Sequence, residues 1–138
     1  MVSCNNDNCV GNSNGIPLAG FYQNGKAVTL TNLTIFGIGA PSDSTILKEG
    51  SASTAYLPLR ITTTSCQYVL DYNTDEVEND TITFNYDVIP YFESHECGAM
   101  YNFTIKSWEY TQNLIDSIAI PDPRITNSDV VTIKIFMQ

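Results

Sequence analysis

The chain has 138 residues, 43% of them hydrophobic, and sets six Lys and Arg against fifteen Asp and Glu for a formal net charge of -9. A chain of this length and apolar content makes one domain that buries roughly 68–70% of the surface its unfolded form exposes, which excludes disorder. The negative charge repels phosphate backbones and excludes nucleic acid as a partner, and no run approaches the roughly 20 consecutive apolar residues of a membrane helix.

From the N-terminus, residues 5–14 are rich in Asn and lack apolar periodicity, so residues 1–15 read as a tether and 16–138 as the folded body. Gly11-Asn12-Ser13-Asn14-Gly15 matches the G-x-S-x-G of nucleophile elbows in letters only. No substantial strand precedes it, Ile16-Pro17 replaces the helix, and the chain lacks α/β alternation. Asn24-Gly25 is the sharpest hairpin signal, because both residues tolerate the positive φ of a tight two-residue turn. Apolar residues then recur at alternate positions: Leu57, Leu59 and Ile61; Ile82, Phe84 and Tyr86; Tyr101, Phe103 and Ile105; Val131, Ile133 and Ile135. That period of two predicts strands with one apolar and one wet face. Further turn signals fall at Gly39-Ala40-Pro41-Ser42-Asp43, Glu49-Gly50, Asn73-Thr74-Asp75, Cys97-Gly98 and Pro121-Asp122-Pro123. Only residues 108–118 tolerate a short helix. Each strand's apolar face needs a second sheet to cover it, so the expected fold is all-β: a two-sheet antiparallel β-sandwich, Ig-like in outline, with seven to nine strands. A small barrel is the alternative.

The run from Asp71 to Asp80 begins like a calcium loop, with Asp71, Asn73 and Asp75 at the first, third and fifth positions. It departs where Glu76 replaces the required Gly and Ile82 the bidentate Glu, which excludes an EF-hand. Asp71, Asn73 and Asp75 remain candidate ligands of a looser surface calcium site, against the plainer reading of a solvated hairpin tip. His95, the one histidine, stands beside Glu93, Glu96 and Cys97 but lacks a nucleophile partner in sequence. The aromatics Tyr86, Tyr91, Phe92, Tyr101, Phe103, Trp108 and Tyr110 could form a glycan platform, although alternating aromatics on strands more often fill a core. Cys4, Cys9, Cys66 and Cys97 show no paired C-x-x-C spacing and read as disulfide formers; four thiols allow three complete pairings.

The segments Cys4-Asn5-Asn6-Asp7-Asn8-Cys9, Thr31-Asn32-Leu33-Thr34-Ile35-Phe36-Gly37-Ile38-Gly39, Asp80-Thr81-Ile82-Thr83-Phe84-Asn85-Tyr86 and His95-Glu96-Cys97-Gly98 together resemble an uncharacterised family of Bacteroidota envelope lipoproteins. In that family a lipidated cysteine opens the mature protein, a second follows closely, and a Cys-Gly pair comes late. The resemblance implies lipidation of Cys4 and a disulfide between Cys9 and Cys97, with Cys66 an addition and Cys66–Cys97 the alternative pairing. Val2-Ser3-Cys4 also looks like the tail of a bacterial lipobox.

No nucleophile, base and orienting acid can be assembled from these residues. The expectation is a noncatalytic cell-envelope lipoprotein domain with a binding or scaffolding role, needing no cofactor or metal. It would be held outside the cytoplasm through Cys4, facing another envelope protein or a glycan. A glycan-binding or calcium-dependent adhesion module is the alternative, and a hydrolase is third.

Overall fold

A computed structural model describes residues 15–38, 45–92, 99–126 and 128–138. These form eleven strands and no helix: β1 (Leu18–Gln23), β2 (Lys26–Ala27), β3 (Leu30–Gly37), β4 (Thr45–Ala52), β5 (Thr54–Tyr56), β6 (Ser65–Asp71), β7 (Asp80–Phe92), β8 (Ala99–Tyr110), β9 (Ile115–Ala119), β10 (Arg124–Ile125) and β11 (Val131–Met137). Three of them have only two or three residues, so the eight longer strands fall within the expected seven to nine.

The strands make two sheets. One runs β10-β8-β7-β6-β3-β4; the other runs β2-β1-β11-β9, with β5 also pairing β1. The sandwich inferred from alternation is therefore present, with one departure from an all-antiparallel plan. First strand β1 lies parallel to last strand β11, Ala19 opposite Ile133 and Phe21 opposite Ile135. The apolar faces meet in a core of Phe21, Leu33, Ile35, Leu70, Ile82, Phe84, Tyr86, Phe103, Ile115, Ile133 and Ile135, among others. Tyr86 and Phe103 pack edge to face at 5.5 Å, the arrangement the ring quadrupole favours.

Asn24-Gly25 turns β1 into β2 with φ of 55° and 79°, as the primed hairpin turn requires. Three local expectations are corrected. Residues 108–118 are the end of β8, a turn and most of β9, with no helix; Trp108 and Tyr110 are half-buried and pack against the core. Glu49-Gly50 lies inside β4, where Glu49 at φ 45° makes an irregularity in the ladder with β3. Leu57, Leu59 and Ile61 lie outside any strand. Their segment carries the chain from one sheet to the other, burying Leu57 and Leu59 and leaving Ile61 43% exposed.

The β7–β8 ladder outruns its neighbours. β6 pairs β7 only over residues 80–85, whereas β8 stays with β7 to the pair Phe92–Ala99. Residues 89–92 and 99–102 thus form an arm in which β7 and β8 run on beyond both β6 and β10. On the side facing solvent Ile89 is 43% exposed.

Candidate functional site

Asp71, Asn73 and Asp75 come together at the β6–β7 turn. With Asn32, Glu49, Thr74 and Asn79 they line an open, almost wholly polar depression. Its backbone is shaped by three left-handed residues, Asn32 at φ 54°, Glu49 at 45° and Asn73 at 55°. Asn is among the residues that adopt this region most readily, and here the Asn73 side chain is tied to the neighbouring strand. Asn73 donates its amide to the Asn32 carbonyl at 2.8 Å and to Thr34 Oγ1 at 3.1 Å. Thr34 Oγ1 also accepts the Glu49 N–H at 2.9 Å. Asp71 Oδ1 accepts the Asn73 N–H at 2.8 Å, an Asx turn that satisfies the backbone locally. Among the described residues no three or more Asp, Glu, His or Cys side chains converge as a metal site requires. Cys4, Cys9, His95 and Cys97 lie outside the described residues, as does all but Gly15 of the Gly11–Gly15 motif.

Asp80 departs from the solvated hairpin tip expected for its run. It is 0% exposed, and five donors close on its carboxylate. Thr111 Oγ1 and the Asn113 N–H donate to Oδ1 at 2.5 and 2.7 Å. Tyr72 Oη and the N–H groups of Leu114 and Ile115 donate to Oδ2 at 2.6, 2.8 and 3.0 Å. Desolvation alone would raise this carboxyl's pKa, but the hydrogen bonds from Thr111, Tyr72, Leu114 and Asn113 outweigh it and hold the pKa below its ordinary 3.8. The three backbone donors belong to the turn where the chain leaves β8 for β9 in the other sheet. Asp80 is the fastener of that corner.

The opposite end of the same β6–β7 hairpin fastens another crossing, residues 57–64. Tyr68 donates its hydroxyl to the Pro58 carbonyl, and Tyr86 donates to the Arg60 carbonyl at 2.7 Å. Cys66 Sγ accepts the Arg60 N–H at 3.4 Å and lies 3.1 Å from Tyr86 Oη. Cys66 is a free, buried thiol. Burial, and next the hydrogen bond with Cys66, push the Tyr86 phenol up to about 12. Burial likewise raises Tyr68 and Tyr72, the latter with help from Asp80. A lone Asp at a strand start offers no alternation to flag it in sequence.

The aromatic stretch is chiefly structural. Tyr86 and Phe103 are buried, while Tyr101, Trp108 and Tyr110 pack against the core from its margin. Trp108 donates its indole N–H to the Ile118 carbonyl at 3.2 Å, and so joins the two sheets.

These features define a class: a two-sheet β-sandwich whose buried polar groups secure two of the points at which the chain changes sheet. Within that class the chain belongs to a family of unknown function (DUF6452), which it matches over residues 32–137. The match takes in β4 through β11 and all but the start of β3, and leaves out β1, the strand that partners β11. No curated protein and no solved structure matches the chain.

Proposed function

We propose that the chain is a noncatalytic envelope lipoprotein domain of Bacteroidota, anchored through a lipid on Cys4, whose sandwich binds or scaffolds a partner outside the cytoplasm. The observation that carries this reading is the use of the buried polar groups. Asp80 has both oxygens filled by protein donors, and Tyr68, Tyr86 and Cys66 are engaged with the crossing at Pro58 and Arg60. A general acid, base or nucleophile must instead present a group toward substrate. The sequence Val2-Ser3-Cys4 supports the anchor, and so does the net charge of -9, since an acidic body does not hold an anionic membrane by charge and needs acyl chains, two of which anchor stably where one does not. The test is expression of the full gene in its native host with labelled fatty acid. Wild-type protein takes up label and partitions into detergent, and Cys4→Ser protein does neither; unlabelled, freely soluble wild type refutes the anchor.

A further inference from the structure

The tip of the β1–β2 hairpin leaves Asn24 and Gly25 open to water. Residues 23–27 are all exposed, and among the described residues no hydrogen bond engages the Asn24 amide or the Gly25 N–H. β2 has only two residues, paired to β1 at Tyr22–Ala27 and Gln23–Lys26, and so short a strand opens at little cost. With Gly25 at φ 79°, the turn demands a glycine after its asparagine. Glycine is also the neighbour whose backbone nitrogen most easily reaches an asparagine side chain, because no Cβ shields it, and at Gly25 nothing else stands within 4 Å of where a Cβ would lie.

In Asn14-Gly15, the chain's other Asn-Gly pair, the glycine nitrogen is already committed. The Gly15 N–H donates to the Tyr101 carbonyl at 2.8 Å, and the Ile125 carbonyl oxygen lies 2.7 Å from the place a Gly15 Cβ would take. The fold therefore distinguishes two dipeptides that are identical in sequence.

We propose that Asn24 is a site of spontaneous deamidation, and that its isoaspartyl product unfastens β2 from β1. When the hairpin tip opens, hydroxide removes the Gly25 amide proton and the nitrogen attacks Asn24 Cγ. The N–Cγ bond forms, the Cγ–Nδ2 bond breaks, and the side-chain nitrogen takes a proton from water and leaves as ammonia. Water then opens the resulting succinimide ring. Opening at Cγ gives an ordinary aspartyl residue, whereas opening at the Asn24 main-chain carbonyl leaves Gly25 joined through Cγ, so the backbone gains one methylene. A hairpin's register is fixed by its loop length; the lengthened turn cannot hold Gln23 opposite Lys26. Either product also places a carboxylate in the depression that Asn24 shares with Asp116 and Gln138, where like charges repel. The inference goes beyond the envelope reading and holds with or without a lipid on Cys4.

Ageing of the full chain in mildly alkaline buffer, followed by peptide mass spectrometry, tests it. In the folded chain the Asn24 peptide should convert at least about 10-fold faster than the Asn14 peptide. In guanidinium the two should convert alike, since both glycine nitrogens are then free. The isoaspartyl fraction, separated by chromatography, is read by amide hydrogen exchange. Its Val28 amide, which in the parent donates to the Phe21 carbonyl at 2.9 Å, should exchange about 10-fold faster while β6 keeps its protection. Three results would each overturn the proposal: no conversion of Asn24 in the folded chain while the denatured chain converts, equal conversion of Asn14 and Asn24 in the folded chain, or an isoaspartyl fraction with unchanged exchange at Val28.

Discussion

The indole N–H of Trp108 on β8 reaches the Ile118 carbonyl of β9, in the opposite sheet, at 3.2 Å. One side chain therefore both ties the layers together and fills an acceptor on β9, the strand that ends its sheet.

Trp108→Phe keeps a ring in place and removes the donor. The variant should lose about 1–2 kcal/mol in denaturant unfolding and self-associate more readily through β9, measured by sedimentation. A variant as stable and as monomeric as the parent would show that the bond does neither job.

Asp80→Asn should cost at least about 3 kcal/mol, because the amide nitrogen would confront donors where the carboxylate accepted them. The pH dependence has a definite sign. With the folded pKa held below 3.8, the carboxylate's contribution is complete above that value and is lost as pH falls through the lower folded value. The stability gap between parent and variant should be constant from neutrality to about pH 4 and then close in more acidic solution. A gap that stays constant into strong acid would refute the account.

At alkaline pH the sign reverses. Tyr68, Tyr72 and Tyr86 ionise in the unfolded chain near 10.0 and later in the fold, so their contribution is complete below that pH and is lost as pH rises through the folded values, about 12 for Tyr86. Ultraviolet titration should show a delayed class of phenols released together on unfolding. Tyr86→Phe should cost about 1–2 kcal/mol by stranding the Arg60 carbonyl.

Peptide mapping of unreduced protein should leave Cys66 unlinked, as its burial and contacts with Arg60 and Tyr86 indicate, and should join Cys9 to Cys97. The Gly15–Tyr101 hydrogen bond brings together described residues six and four positions from those two cysteines (15 − 9 and 101 − 97). A Cys66–Cys97 peptide would overturn the assignment.

Millimolar calcium should move the melting temperature by less than about 2 °C, since only a ligand that favours the native state raises stability. The Asx turn already engages Asp71 Oδ1. A rise of many degrees would establish a site in the polar depression beside Asn73.

The sandwich was legible because alternation at Ile82-Phe84-Tyr86 and Val131-Ile133-Ile135 directly encodes one buried face. The Asn24-Gly25 turn was legible because its conformation is local. The same alternation at Leu57-Leu59-Ile61 misled, since a segment crossing between sheets can also bury alternate residues, here Leu57 and Leu59, while its backbone bonds go to side chains such as Cys66 and to distant strands. The Asp80 fastener was hidden for a different reason. Its donors at Thr111, Asn113, Leu114 and Ile115 lie more than thirty positions away, and only the pairing of β7 with β8 brings them near. The candidate calcium residues could be placed together from sequence, but the use of Asp71 and Asn73 as turn-builders could not.

The parallel pairing of β1 with β11 also governs when the molecule can exist. Leu18 bonds to Thr132, 114 positions later, so a ribosome must release nearly the whole chain before the smaller sheet can close. Until then β1 and the core face of the larger sheet lack their cover, and loop closure over that distance must precede its reward. Loss of the final seven or eight residues should therefore abolish folding altogether, where loss of an equal number from an edge would only weaken it.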